Sequence, residues 1–458
     1  MVAVEAQAEG IRRAYFVGFL AVLIGCFTPL RALCYVMPGL FTLWMALHGA
    51  VLRNRILVIT IVIASAAAAY NLIVSEFLII NYLVAVVTYS TIIPILVIDN
   101  RWLASRALLE KMLGVMAPMI VVQGAIGIVQ AVYGAMQNGT FGGANGDHVT
   151  GTIYPHLELA NSFSNPMFAV NMVLMLYACL SLPAALHGPR RMWMIVGAIS
   201  FVLASVVHVL VFAVCAIAGA ALVMRAPRTD GEQTGPRNGL LLTLLVLITG
   251  LSYVALPEVA TISDVAETVL DLEDVNMPRA VMLGRVLADL PDDDATQPYI
   301  GLGPGQFSSR ASLIMSGVYL GGEDDPKPLP FFTPHVSRLA DDYCIALMMA
   351  MRERGLAVGS SQQPFFSWLD VYTETGLLGM VVVFGSIARV LLRVRGRARS
   401  HPEVRYQALL CSAGILLLAL LGWQSDYWEV PQAILVGVLA LKVMYANVMY
   451  PLDDRATG

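Results

Sequence analysis

The chain has 458 residues, a formal net charge of -4, 58% hydrophobic residues and only 13% charged residues. A soluble globular protein is about half apolar and about a quarter charged, so this composition excludes that class. The negative net charge gives no indication of a nucleic-acid partner. The sequence therefore predicts a polytopic membrane protein.

Apolar segments long enough to cross a bilayer recur along the whole chain. A spanning helix needs about 20 mostly apolar residues. The run 191–225 is divided at His208, because it is too long for one untilted span and carries an ionisable group in its middle. The predicted fold is an all-α polytopic membrane protein forming a single integral membrane domain, with about twelve transmembrane helices. The predicted spans are residues 14–30, 32–51, 55–74, 76–98, 111–134, 159–182, 191–206, 208–225, 238–256, 366–392, 406–423 and 428–449.

The distribution of arginine predicts the orientation of these spans. Lysine and arginine collect in cytoplasmic loops, because positive charge resists translocation. With an even number of spans, both termini lie on one side. Placing them in the cytoplasm leaves the outside loop 135–158 without any lysine or arginine. The cytoplasmic loops then carry Arg53, Arg55, Arg101, Arg106, Lys111, Arg190, Arg191, Arg225, Arg228, Arg237, Arg393, Arg395, Arg397, Arg399 and Arg405.

One long loop, residues 257–365, falls outside the cytoplasm between the ninth and tenth predicted helices. It is acidic, and a structureless loop of this length is uncommon, so we expect short helices. The stretch "SDVAETVLDLEDV" has a plausible N-cap at Ser263. The stretch "MPRAVMLGRVLADL" has helical apolar spacing and carries Arg279 and Arg285.

The stretch "YIGLGPGQF" places Gly301, Gly303 and Gly305 at alternate positions. Glycines can let backbone N–H groups approach an anion closely. The stretch lacks the Lys-Ser/Thr pair of a nucleotide-binding P-loop, and no strand–helix unit surrounds it. Two interpretations stay open: a rigid turn beside the Arg279–Arg285 helix, or a loop that contacts an extracytoplasmic phosphate. The turn is favoured, because a glycine pair without a helix N-terminus behind it is a poor phosphate site.

Three stretches occur in order: "GTIYPHLELANSF", "PRAVMLGRVLADL" followed by "PYIGLGPGQF", and "FFSWLDVYTETGLLG". They resemble the O-antigen ligase/polymerase superfamily of bacterial envelope glycosyltransferases. The resemblance covers about residues 110–395. It implies a GT-C-like helical bundle in the bacterial inner membrane, with one large extracytoplasmic loop. It also implies a polyprenyl-pyrophosphate-linked oligosaccharide donor and acceptor.

Two departures from the ligase pattern affect the expected activity. The histidine of the ligases is replaced by Phe365 or Phe366 at its expected distance from the Gly-x-x-Gly. The family often has Ser-Arg at the start of the span that begins here at His208, and no arginine is present. The resemblance therefore favours a Wzy-type polysaccharide polymerase over a ligase that transfers glycan to a lipid or protein. An alternative of another class is a transporter or flippase of lipid-linked glycan. Charge gathered in one outside loop favours an enzyme.

Two sets of residues are predicted to carry this chemistry. The planar fork of arginine suits binding of pyrophosphate, although these arginines could instead pair with the acidic residues of the loop. A histidine or a carboxylate would take the proton of the acceptor hydroxyl. The alternative is that the histidine is simply solvated in a loop and that the carboxylate only packs between helices. The pyrophosphate candidates are Arg279, Arg285, Arg310 and Arg338, and the catalytic candidates are His335, Glu374, His156 and Glu158.

No metal site and no cofactor are predicted, because no DxD-like motif is suitably placed and the acidic runs suit a solvated loop surface. The expected partners are the lipid-linked donor and acceptor and the membrane lipids. A chain-length regulator or a flippase is a further possible partner.

The arginine distribution generates a topology prediction. Reporter fusions after residues 145 and 325 should give an extracytoplasmic signal, and fusions after 230 and 398 a cytoplasmic one. Paired alkaline phosphatase and fluorescent-protein reporters measure this directly. A cytoplasmic signal at 325 would contradict the prediction, because the proposed loop residues would then face the wrong substrate pool.

Overall fold

The computed structural model describes residues 2–50, 55–74, 77–139, 148–155, 164–182, 187–224, 278–317, 336–353 and 365–451. Within these residues the elements are helices, and no β-strand is present. The all-helical class predicted from composition is thus confirmed for the described part of the chain. The predicted span 238–256 and the helix expected after Ser263 lie outside it.

The helices of the N-terminal half follow the predicted spans closely. They are α1 Val2–Cys26, α2 Arg31–Leu47, α3 Arg55–Val74, α4 Ile79–Thr88, α5 Ile93–Val97, α6 Asn100–Leu103, α7 Arg106–Asn138, α8 Ser164–Leu180, α9 Pro189–Leu203 and α10 Val207–Met224. A 3-10 turn, Tyr89–Ile92, joins α4 to α5. The division predicted at His208 is confirmed, because α9 ends at Leu203 and α10 begins at Val207.

The described parts of the large loop consist of short helices, and three long helices follow them. The helices are α11 Pro278–Ala288, α12 Leu290–Asp293, α13 Gln297–Ile300, α14 Arg310–Ser316, α15 Ala346–Glu353, α16 Ser367–Ser400, α17 Arg405–Leu421 and α18 Pro431–Met449. A π-helical turn, Ala340–Ile345, leads into α15. The helix predicted from the apolar spacing of "PRAVMLGRVLA" is therefore confirmed as α11.

Within the described residues, five helical segments are long and apolar enough to cross a membrane, by length and composition. They are Ile79–Val97, Arg106–Gln137, Ser367–Ser400, Pro402–Leu421 and Pro431–Met449. Three shorter apolar helices accompany them, namely Arg31–Leu47, Ser164–Leu180 and His208–Met224. These segments support a multi-pass membrane protein, and the full count of twelve spans stays a prediction.

Two predicted spans have different bounds in the structure. The first helix starts at Val2 rather than at 14, because alanine, glutamate and glutamine extend it, and it ends at Cys26, shortly before Pro29. The span predicted over 366–392 continues as α16 to Ser400. The arginines predicted to form a loop lie instead on its last turns. Arginine is a good helix former and is favoured near a helix C-terminus.

Helix α18 lies at the centre of the bundle and packs against α1, α8 and α17. Its side chains are buried over most of its length, as expected for a helix that is apolar on all sides. Hydrogen bonds also hold α1 and α8 to this helix. The Tyr15 hydroxyl donates to the Leu439 carbonyl over 2.8 Å, and Asn171 Nδ2 donates to the Gln432 carbonyl over 2.6 Å.

The helix connections gather at two opposite ends of the bundle. At one end, called here the site end (residues 27–30, 77–78, 148–155, 204–206 and 422–430), Thr152 Oγ1 donates to the Phe27 carbonyl over 2.6 Å. At the other, the arginine end (residues 48–50, 98–105 and 400–405), Arg12 Nε donates to the Trp102 carbonyl over 3.0 Å. Successive long helices run from one end to the other. The predicted topology requires this alternation.

Candidate functional site

The glycine stretch forms a tight turn that lies directly on helix α16. Gly301, Gly303 and Gly305 have φ angles of 80°, 96° and 82°, a region that favours glycine. A Cβ atom added at Gly301 would lie 2.3 Å from the Glu374 carbonyl carbon, and one at Gly376 would lie 2.3 Å from the Tyr299 carbonyl carbon. The two backbones therefore approach so closely that neither glycine leaves room for a side chain.

Backbone hydrogen bonds hold the turn to the helix. The Leu302 N–H donates to the Thr373 carbonyl over 2.9 Å, and the Gly303 N–H donates to the Glu374 carbonyl over 3.0 Å. Gly376 interrupts the helix with φ 63° and ψ -167°. Such a kink removes the helical donors of the preceding carbonyls, and buried carbonyls need partners. The turn supplies these donors.

The amides of the three glycines all have protein acceptors. The Gly301 N–H donates to the Gln297 carbonyl over 2.8 Å. The Gly305 N–H donates to Glu374 Oε2, also over 2.8 Å. Together with the bond from Gly303, these contacts favour the rigid-turn interpretation over direct phosphate binding by the loop.

The Asn71 side chain of α3 and the backbone of Leu78, just before α4, hold the opposite side of the turn. Asn71 Nδ2 donates to the Gly301 carbonyl over 3.0 Å. Gln306 pairs with the backbone of Leu78: its Oε1 accepts from the Leu78 N–H over 2.8 Å and its Nε2 donates to the Leu78 carbonyl over 3.0 Å. The turn is thus inserted between α16 and the connection of α3 to α4.

Asp370 and Glu374 lie one turn apart on the face of α16 that meets the glycine stretch. Asp370 Oδ1 accepts from Ser308 Oγ over 2.5 Å, and Glu374 accepts from Gly305. Both carboxylates are fully buried. This contact gives Glu374 a packing role, and its predicted catalytic role stays a prediction.

Arg310 lies in a buried ion pair. Its Nη2 is 2.5 Å from Asp426 Oδ1, and the two side chains are 5% and 1% exposed. Its backbone N–H donates to Glu429 Oε2 over 2.9 Å, and Thr88 Oγ1 lies 3.2 Å from the same oxygen. Burial raises the pKa of Glu429 well above its ordinary value, and neighbouring Asp370 and Asp426 raise it further. The arginine therefore ties the large loop to the turn between α17 and α18.

Arg279 faces the bundle from the first turn of α11. It continues, at helical spacing, the buried stripe formed by Met282, Val286 and Leu290. Arg285, six residues further on, lies about 100° from the centre of that stripe, on the flank of the helix. Both arginines are partly buried. Of the two, only Arg279 lies on the buried stripe, and it is within electrostatic range of Tyr427 and Asp426 at the site end.

The surroundings of Arg279 are polar. Burial lowers the pKa of Arg279 to about 10, and the nearby Tyr427 and Asp426 raise it. A guanidinium with this pKa stays protonated at neutral pH. His208 also lies within electrostatic range of Arg279. Its Nε2 is 2.8 Å from the Tyr427 hydroxyl oxygen.

The remaining predicted residues lie elsewhere or outside the described part of the chain. Arg338 is exposed, just before the π-helical turn. His335, His156 and Glu158 lie outside the described residues. The segment before His156 belongs to the site end, because Gln130 Oε1 accepts from the Gly151 N–H over 2.8 Å.

Sequence reasoning missed the short turn between α17 and α18 as part of the site. This turn supplies Asp426, Tyr427 and Glu429, and α10 supplies His208. The sequence did contain an indication of this role. Asp426 and Glu429 lie in a short connection between apolar spans, and buried charges near a membrane need partners. Their partners are more than a hundred residues away in sequence, so the pairing itself had no local signature.

Comparison of the chain with models of protein families, with curated proteins and with solved structures gives no match. The functional assignment therefore depends on the residues and geometry described above.

The close backbone contact predicts a cost for side chains at Gly301. Gly301→Ala should lower the melting temperature of the detergent-solubilised protein. Positive φ alone costs about 1–2 kcal/mol, and the contact with Glu374 adds to it. Gly385→Ala is the matched control, because Gly385 lies in α16 with open space around its Cβ position. Equal melting temperatures for Gly301→Ala and wild type would contradict the packing described here.

The buried ion pair generates a second prediction. Arg310→Ala should destabilise the protein by about 3–5 kcal/mol, because it leaves Asp426 buried without its cation. The control is Arg106→Ala at the exposed Arg106–Glu110 pair, where the side chains are 61% and 47% exposed. That change should cost about 0–1 kcal/mol. Denaturant unfolding in detergent compares the two variants, and similar small losses would argue against the buried pair.

Proposed function

We propose that the protein is a membrane glycosyltransferase of the O-antigen ligase/polymerase type. It would polymerise polyprenyl-pyrophosphate-linked oligosaccharide repeat units into a cell-surface polysaccharide. A growing glycan would pass from its polyprenyl pyrophosphate to the nonreducing-end sugar of another lipid-linked repeat unit. The energy would come from cleavage of the bond between the glycan and the pyrophosphate.

The observation that carries this proposal is the contact between two of the stretches on which the family resemblance depends. "PYIGLGPGQF" and "ETGLLG" are distant in sequence, and Gly305 bonds to a residue 69 positions away. Gly301 and Gly376, one from each stretch, make the close approach possible. If the two stretches resembled the family by chance, nothing would require them to be in contact with each other. The contact therefore supports treating the two stretches as parts of one functional unit.

Arg279 is the arginine best placed to hold the leaving pyrophosphate. It is within electrostatic range of Tyr427 and Asp426 at the site end, in polar surroundings that are only partly open to solvent. Arginine makes bidentate, charge-assisted bonds to phosphate, and such bonds stabilise charge that develops on a leaving group. Arg310 is less suited, because Asp426 already engages its guanidinium. Arg285 and Arg338 could act from the flank and from the surface.

The reaction would take place at the extracytoplasmic face of a bacterial inner membrane. This placement follows from the arginine distribution, which puts the site end outside and both termini in the cytoplasm. ATP is scarce there, which suits a donor that carries its own activated bond. A flippase that delivers the repeat units and a regulator of chain length are the protein partners that such a polymerase would need.

A reconstituted assay tests the proposal. Purified protein is incubated with lipid-linked repeat units, and the products are separated by size. A ladder of lengths supports a polymerase. A single transfer to a second acceptor would indicate a ligase, and the absence of any new glycosidic bond would contradict both and leave transport as the alternative.

The role of Arg279 gives a prediction within that assay. Arg279→Lys should fail nearly as badly as Arg279→Ala, with a loss of about 100-fold in rate, because lysine lacks the planar fork. Arg13→Lys is the control, since Arg13 is exposed on α1. It should polymerise at the wild-type rate. Full activity in a correctly folded Arg279→Ala variant would remove Arg279 from the site.

A further inference from the structure

His208 lies on the first turn of α10, at the site end, and its ring is only partly buried. Two aromatic side chains position it. Its Nε2 is 2.8 Å from the hydroxyl oxygen of the buried Tyr427. Phe212, one turn further along α10, packs edge-on against the ring, with centroids 6.5 Å apart. These two contacts hold the imidazole in one orientation.

The partner of His208 belongs to the same polar network as the proposed pyrophosphate site. Tyr427 follows Asp426, which accepts from Ser425 Oγ over 3.0 Å and pairs with Arg310. Arg279 is near enough to both His208 and Tyr427 to perturb their electrostatics. The histidine is thus within electrostatic range of the arginine that would bind the leaving group, and none of the four predicted catalytic residues is placed there by the described structure.

We propose that His208 is a catalytic base of the proposed transferase, accepting the proton of the acceptor sugar hydroxyl while Tyr427 orients its ring. This inference rests on the proposed function. In the tautomer that fits this role, the Nε2–H donates to the Tyr427 oxygen and Nδ1 carries the free electron pair. A neutral imidazole oriented by a hydrogen bond at its other nitrogen is well suited to this task.

The step balances without any co-reactant. The O–H bond of the acceptor sugar breaks, and its proton moves to Nδ1 of His208. The electron pair on the sugar oxygen forms the new bond to the anomeric carbon of the donor. The bond from that carbon to the pyrophosphate oxygen breaks, and its electron pair leaves with the polyprenyl pyrophosphate. The new negative charge on the leaving group offsets the positive charges of Arg279 and the imidazolium.

Four variants of the full chain test this role: His208→Ala, His208→Gln, Tyr427→Phe and His48→Ala. His48 is the control, because it is exposed at the arginine end, where its ring bonds to the Trp44 carbonyl and packs on the Trp44 ring. The assay measures kcat with lipid-linked repeat units. In parallel, intrinsic tryptophan fluorescence measures the Kd for polyprenyl pyrophosphate.

We expect both His208 variants to lose about 100-fold or more in kcat, with their Kd for polyprenyl pyrophosphate within about twofold of wild type. Added imidazole should restore part of the activity of His208→Ala. Tyr427→Phe should lose about tenfold, because the ring keeps its base but loses its orientation. His48→Ala should match wild type. Arg279→Ala gives the contrasting result, a weaker Kd.

Wild-type kcat in either folded His208 variant would overturn the inference. A loss that appears only as a weaker Kd and that imidazole does not restore would also overturn it. If His208→Ala does not fold, His208→Gln and Tyr427→Phe decide by the same criteria. Failure of the wild-type protein to form any glycosidic bond is a different result, since it removes the proposed function and this inference with it.

Discussion

The contact between the glycine turn and the kink of α16 organises the site end of this protein. At Gly301 and Gly376 two backbones meet where no side chain fits, and the amides of the turn replace the helical donors that the kink removes. Unpaired carbonyls inside a membrane bundle are costly, so the turn and the kink each require the other. The glycine turn also positions the segment that follows it. In that segment Ser308 bonds to Asp370, and Arg310 forms an ion pair with Asp426. The glycine stretch looks in sequence like a phosphate-binding loop. Its amides instead bond to α16 and so attach the large loop to the helical bundle.

The contact between the glycine turn and α16 helps to position the charged side chains at the site end. Arg310 is buried against Asp426 and Glu429, and it connects the large loop to the turn between α17 and α18. Arg279 is only partly buried and lies within electrostatic range of Tyr427, Asp426 and His208. The two arginines thus have different surroundings although the sequence presents both as outside cations.

Local patterns were sufficient for part of this architecture. Apolar periodicity predicted α11, and the ionisable group at His208 predicted the break between α9 and α10. Hydrophobicity alone misplaced the end of α16, because the arginines after 392 are helix formers that continue it beyond the apolar run. The pair Arg310–Asp426 could not be predicted, since its members are 116 residues apart and no local pattern couples them. The sequence predicted only that a span is divided at His208. The contact of its ring with Tyr427 is visible only in the fold.

We propose that Arg279, and not the glycine turn, binds the pyrophosphate of a lipid-linked glycan at the site end. An experimental structure of the protein with bound polyprenyl pyrophosphate would test this binding mode. We expect phosphate oxygens within hydrogen-bonding distance of the Arg279 guanidinium, with the amides of Gly303 and Gly305 still bonded to Glu374. Phosphates held by those amides, or bound at the arginine end of the bundle, would contradict it.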